Sequence, residues 1–165
     1  MISVVSGIRE LHQSSYADVE RAMAVEMERA SDAARNNSPS TLRFGGAIGV
    51  DSVALQAARQ LRRPRHRVIF VVIVPGKLTE QPKFAYQVAL RCADNIIELE
   101  FPRGAKWAYL RRNDRLLDGA QRLVAFTDGR ATGGTAYTIK RAQKSGIDVE
   151  LVTVRSFLHR VDLTK

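Results

Sequence analysis

Three short stretches carry residue types suited to holding an anion. They are Gly7-Ile8-Arg9, Gly45-Gly46-Ala47-Ile48-Gly49-Val50-Asp51, and the turn from Thr127 through Asp128, Gly129, Gly133 and Gly134 to Thr135. In the third, a helix-like segment begins directly after two glycines. A helix N-terminus offers unpaired N–H groups and partial positive charge to a ligand. Glycines there leave no Cβ to hold a phosphate off the backbone. Arg9 adds a guanidinium able to grip phosphate oxygens at two points, and Thr135 adds a hydroxyl. Asp51 repels a phosphate by charge. Its available roles are accepting from a sugar hydroxyl or a base amino group, orienting Arg9, or capping its own helix. A further charged run, Arg111-Arg112-Asn113-Asp114-Arg115, puts Arg111 and Arg115 one helical turn apart as a basic stripe, with Arg112 and Asn113 directed elsewhere.

Positioning these turns falls to an alternation of strands and helices. Ile2–Ser6, Thr41–Phe44, Val68–Val74, Asn95–Leu99, Leu123–Phe126 and Val149–Val154 read as strands. The seven apolar, largely β-branched residues 68–74 mark a strand covered on both faces, as in a parallel sheet. Between the strands, apolar residues recur at helical intervals. Tyr16, Val19, Met23, Met27, Ala30 and Ala34 form one face, with Ser14 or Ser15 as cap; Val50, Val53, Ala54, Ala57, Ala58 and Leu61 form another. Ala85, Val88, Ala89 and Cys92 predict a third helix, Trp107, Leu110, Asp114 and Leu117 a face of a fourth, and a fifth runs to about Ser145. Trp107 is expected in the core, the 75–82 loop has no pattern, and Asn36–Ser40 reads as a turn. The expected fold class is α/β: a Rossmann-like three-layer α/β/α domain over residues 1–154, with a mostly parallel sheet of six strands and a tail at 155–165. Right-handed crossovers in such a sheet bring every β→α turn to one edge. The three glycine turns are therefore expected to meet in one crevice.

Composition narrows the partners. Across 165 residues, 26 Lys and Arg against 17 Asp and Glu give a net charge of +9 and a pI near 10.3, an excess that favours polyanions, nucleic acid first. The longest apolar run, 68–74, is far short of the roughly 20 residues that cross a bilayer; a soluble, cytoplasmic protein with no membrane partner is expected. The single cysteine, Cys92, reads as a buried thiol. His12, His66 and His159 have no metal-ligand spacing, and no Gly-x-Gly-x-x-Gly follows the first strand; neither a metal nor a cofactor is expected.

Taken in order, Gly7-x-Arg9, Gly45-Gly46-Ala47-x-Gly49-x-Asp51, Arg112-Asn113-x-x-Leu116, Asp128-Gly129 and Gly133-Gly134-Thr135-Ala136 resemble the SLOG superfamily. This Rossmann-like group contains the DNA-processing protein A (DprA) family and the Lonely Guy nucleotide hydrolases. The similarity covers roughly residues 1–154 and is greatest to short, stand-alone DprA/YspA-like proteins. It implies a crevice for a nucleotide or for single-stranded DNA or RNA, and a homodimer. By the same likeness Arg9, Gly46, Asp51, Arg112 and Asn113 line the strand-binding groove. The hydrolases carry a glutamate three residues after the threonine of their glycine turn, where this chain has Thr138, and their Gly-Gly-x-Gly spacing is here shortened to Gly133-Gly134. Loss of that carboxylate removes the group that stabilises an oxocarbenium-like centre.

Two functions follow as expectations. The first is a non-catalytic module that binds a nucleotide or a single strand by its phosphates. The alternative is a nucleotide N-glycosidase acting on a nucleoside monophosphate, with Asp51, Glu98 and Asp128 as candidate carboxylates and Asp128, just past a strand, the best placed. The Arg62-Arg63-Pro64-Arg65-His66-Arg67 run enters a strand at the opposite, N-terminal edge of the sheet; its available roles are an extension of the basic surface, a dimer face, or none.

Overall fold

The computed structural model describes residues 1–34 and 38–158. The turn expected at Asn36 and Asn37, and the end of the tail with His159, lie outside the described residues. Six strands form: β1 (Ile2–Gly7), β2 (Ser40–Phe44), β3 (Val68–Val74), β4 (Asn95–Glu98), β5 (Arg122–Thr127) and β6 (Asp148–Thr153). Five α-helices alternate with them: α1 (Tyr16–Ala33), α2 (Val50–Leu61), α3 (Lys83–Cys92), α4 (Lys106–Leu117) and α5 (Gly134–Lys144). The strands make one sheet in the order β4-β3-β2-β1-β5-β6, and every described pairing is parallel. This is the Rossmann-like α/β/α arrangement expected from the pattern.

Alternation along β1 shows how the layers are filled. Val5 faces a core built with α1, α2 and α3, where Phe44 meets Phe70 edge to face at 6.1 Å. Val4 faces the opposite, smaller core with Leu116, Leu117, Leu123 and Ala142 from the α4 and α5 side. Strand order runs outward from β1 through β2 and β3 to β4, then restarts on the other side of β1 at β5. The switch point is therefore between the C-terminal ends of β1 and β5, where open α/β sheets leave a crevice.

Several local expectations are corrected. The 75–82 loop contains a 3-10 turn, Leu78–Glu80, its Leu78 N–H held by Glu98 at 2.6 Å. Ser15 precedes α1 without a side-chain cap; its hydroxyl instead accepts the Arg155 N–H at 2.8 Å. The start of the tail is thereby ordered: Leu11 and Ser156 form an antiparallel bridge, and the Phe157 N–H donates to the Glu10 carbonyl. Trp107 is not in the core. It is 47% exposed, edge-on to Phe101 and beneath the Arg111 guanidinium. The buried face of α4 is instead Ala108, Arg112, Asn113, Leu116 and Leu117. Two polar residues occupy that face because the middle of the helix closes the crevice, while its last turn, with Leu116 and Leu117, meets the apolar core. Cys92 is buried as expected, and burial pushes its thiol pKa up. No described helix is long and apolar enough to cross a membrane.

Candidate anion-binding crevice

The exit of β1, the turn before α2, the middle of α4 and the start of α5 enclose one cavity of about 340 Å³. Gly7 and Arg9, Ala47 and Asp51, Arg112 and Asn113, and Gly133, Gly134 and Thr135 all line it. The three turns thus meet, joined by the arginine–asparagine pair. Gly45, Gly46, Gly49, Asp128 and Gly129 are not among its lining residues.

The α2 side of the crevice is closed by the protein itself. The Val50 N–H donates to the Ile8 carbonyl at 3.0 Å, which pins the β1 exit against the helix start. The Asp51 carboxylate, in the first helical turn, accepts from the Ala47 N–H at 3.2 Å, and the Ser52 hydroxyl donates to the Ala47 carbonyl. Asp51 and Arg112 are both buried, 6% and 4% exposed. Burial raises the Asp51 pKa, and the Arg112 guanidinium and the Ala47 amide pull it part of the way back. Burial likewise lowers the Arg112 pKa, opposed by Asp51. Arg112 donates to the Gly45 carbonyl and, through Nε, to Asn113 Oδ1 at 2.9 Å. That second bond leaves Asn113 Nδ2 directed away from Arg112 as a donor, 3.6 Å from where a Cβ on Gly134 would stand.

The α5 side is open. Gly133 precedes the helix at φ 99° with no side-chain cap, and no acidic residue occupies the first turn. The Tyr137 N–H is the first to find a helical acceptor, at Gly133, so the amides before it are those a helix start leaves without intrahelical partners. Thr135 lines the cavity beside them, and Thr138 turns its hydroxyl back to the Gly134 carbonyl at 2.9 Å.

Cations face this open start. The Arg9 guanidinium lies 4.4 Å over the Tyr109 ring, and Lys106 and Arg130 join the lining. Arg130 is clamped by Asp128 at 2.7–3.1 Å and reaches Glu10 at 3.3 Å. The hydrogen bonds that Arg130 donates to Asp128 hold its guanidinium more firmly protonated. Asp128 is therefore engaged in fixing Arg130, its side chain 3% exposed. Of the three candidate carboxylates, Asp51 and not Asp128 lines the cavity; Glu98 lies at the end of β4, outside the lining.

Among the lining residues not singled out from the sequence as site residues are Arg130, Lys106, Glu10 and Leu110. Arg130 had a readable signal, a cation inside the third glycine turn two residues after an aspartate. Lys106, Glu10 and Leu110 had none, since each depends on which way α4 and the β1 exit are rotated. Among the described residues, no group of three His, Cys, Asp or Glu side chains is placed to hold a metal ion.

No protein-family model and no curated protein matches this chain. What the crevice does is accordingly read from its own chemistry: four cations, one uncapped helix start, one buried amide donor, and two carboxylates set to one side.

Proposed function

We propose that the crevice binds a nucleotide, free or as the end of a single strand, by its phosphate. One observation carries this reading. Of the two helix starts that meet in the cavity, α2 holds its own carboxylate in its first turn and α5 holds none. The α5 start therefore has free amides and partial positive charge, with Arg9 and Arg130 lining the same cavity. A phosphate over Gly134 takes the amides of the first turn, the Thr135 hydroxyl and the Arg9 fork. Tyr109, already carrying Arg9 on its ring, and Asp51 are left for the base or sugar. Membership of the SLOG superfamily and a homodimer are part of the same proposal, supported by the order of the motifs along the chain; sedimentation of the full chain tests the dimer.

Calorimetric titration with a panel of nucleoside 5′-monophosphates and short oligonucleotides at low salt tests the binding. Saturable binding that Arg9→Gln weakens is expected. No binding to any member of the panel sinks the reading.

A second reading, nucleotide N-glycosidase, keeps one specific support: Asp51 is a buried carboxyl at the cavity surface with a raised pKa, the condition of a general acid. Chromatography for free base after incubation with the same nucleotides decides it. Release that persists in Asp51→Asn excludes this carboxyl from the reaction.

A further inference from the structure

The edge of the sheet opposite the crevice holds the most basic run of the chain, and the function proposed above leaves it unused. The link from α2 to β3 is a built turn. The Arg63 N–H donates to His66 Nδ1 and the His66 N–H to the Arg63 carbonyl, both at 2.9 Å. His66 Nε2 and the Arg65 fork then meet Glu28. Arg62 makes a two-point contact with Asp94 at 2.6 and 3.1 Å while lying over Phe70. These contacts use the charges of Arg62 and Arg65. Arg59, Arg63, Arg67 and Arg91 stay exposed, and none has a carboxylate within ion-pair distance among the described residues. Arg59, Arg62 and Arg91 lie close enough together to act jointly on the Cys92 thiol. Beside them is a shallow concavity of about 480 Å³ whose cationic lining is Arg59, Arg62 and Arg63.

A plainer account assigns these cations to helix dipoles, since Arg59 and Arg91 stand in the last turns of α2 and α3. That explains one cation per helix. It does not explain Arg63 and Arg67, which lie beyond the helix on a turn held rigid by its own hydrogen bonds.

We infer that this edge is a second, sequence-independent binding surface for the phosphodiester backbone of a nucleic acid. Every cation in it is arginine, whose fork matches phosphate oxygens. Of the apolar residues lining the concavity, Val68 and Ile69 are not exposed and only Pro64 is, so it offers neither a large apolar anchor of a protein interface nor an aromatic stacking platform for bases.

The test is fluorescence anisotropy of a labelled oligothymidylate of about 20 nucleotides with the full chain, at about 50 and about 200 mM salt. Excess nucleoside monophosphate is kept present to occupy the crevice. Binding that survives the monophosphate is expected. R59Q/R67Q/R91Q should weaken it by about tenfold or more and lower the salt slope by about two, as three phosphate contacts require. R59K/R67K/R91K, which keeps the charge, should retain most of the affinity, and circular dichroism should show both variants folded. The inference is overturned if the glutamine variant binds as wild type does, if the oligonucleotide does not bind, or if polyglutamate of equal charge competes equally well. Displacement by the monophosphate, with loss of oligonucleotide binding in Arg9→Gln, also overturns it but leaves the crevice reading intact.

Discussion

Gly49 precedes α2 at φ 79° and Gly133 precedes α5 at φ 99°, and neither helix has a side-chain N-cap. In sequence the two turns carry the same signal. In space they are opposites. A Cβ on Gly49 would stand 2.3 Å from the Arg9 carbonyl oxygen, one on Gly46 2.8 Å from Val72 and Val74, and one on Gly45 2.7 Å from Asp51. Gly7, facing this turn, would meet Val50 at 2.5 Å. Those glycines exist so that backbone can approach backbone and side chain. At the α5 start a Cβ on Gly133 would meet only Arg130, at 3.9 Å, and one on Gly134 only Asn113, at 3.6 Å. Space there is left open toward the cavity. Glycine in the first turn makes room for the protein; glycine in the second makes room for something else.

The sharpest way to break that contrast is Gly49→Ala. The substitution combines a left-handed backbone with a carbonyl that has no room to retreat, since the Val50 N–H ties the β1 exit to α2. A loss of about 3 kcal/mol or more is expected in urea unfolding. A loss below about 1 kcal/mol would mean that the β1 exit moves freely and that the α2 turn is not the rigid wall described above.

Gly134→Ala is the mirror experiment, and its effect should fall on binding. Gly134 is not at positive φ, and alanine is the better helix former by roughly 0.5–1 kcal/mol. Stability should hold or rise slightly. The added methyl group projects where the phosphate is proposed to sit, so nucleotide affinity should drop by about tenfold or more, or about 1.4 kcal/mol. Unchanged affinity beside unchanged stability would place the anion elsewhere in the crevice.

Much of this contrast was invisible before the chain was folded, and the reason is physical. Element order was legible because it rests on local periodicity: the unbroken apolar run 68–74 and the helical spacing of Val50, Val53, Ala54 and Ala57 need no tertiary information. Convergence of the three turns was legible because parallel topology forces it. What a glycine is for is decided by residues distant in sequence, Arg9 for Gly49 and Asn113 for Gly134. The rotation of α4 was hidden for a similar reason. An apolar stripe through Trp107 and Leu110 pointed one way, yet the helix buries Arg112 and Asn113 because they wall the cavity. Arg130 was missed although it stood in the turn, since its direction depends on the clamp by Asp128.

Thr135→Val sharpens the α5 side further. Thr135 is 8% exposed, lines the cavity, and the exchange keeps its shape. One hydrogen bond to a bound phosphate is worth about 1 kcal/mol, so affinity should fall by about fivefold with the unfolding midpoint close to wild type. An equal loss of stability would make the hydroxyl part of the wall, as in the α2 turn.

The smallest effect belongs to Asp51, the carboxylate that closes the α2 start. An unfolded aspartate titrates near pH 4, roughly. In the folded protein burial raises that value, while Arg112, the Ala47 amide and Arg9 oppose the rise. The folded chain thus holds this proton more tightly than the unfolded chain. Stability from this group is then fully present below the unfolded pKa and is lost as pH rises through the folded one. Asp51→Asn cannot titrate, so subtracting its stability from that of wild type at each pH isolates the group. The difference should decline from about pH 4 upward and level off once Asp51 is ionised in the native state. A difference that grows with pH would make the carboxylate a net acceptor of stabilising charge, which is how the α5 start is proposed to treat a phosphate. The two helix starts would then differ only in whether their anion comes from the chain.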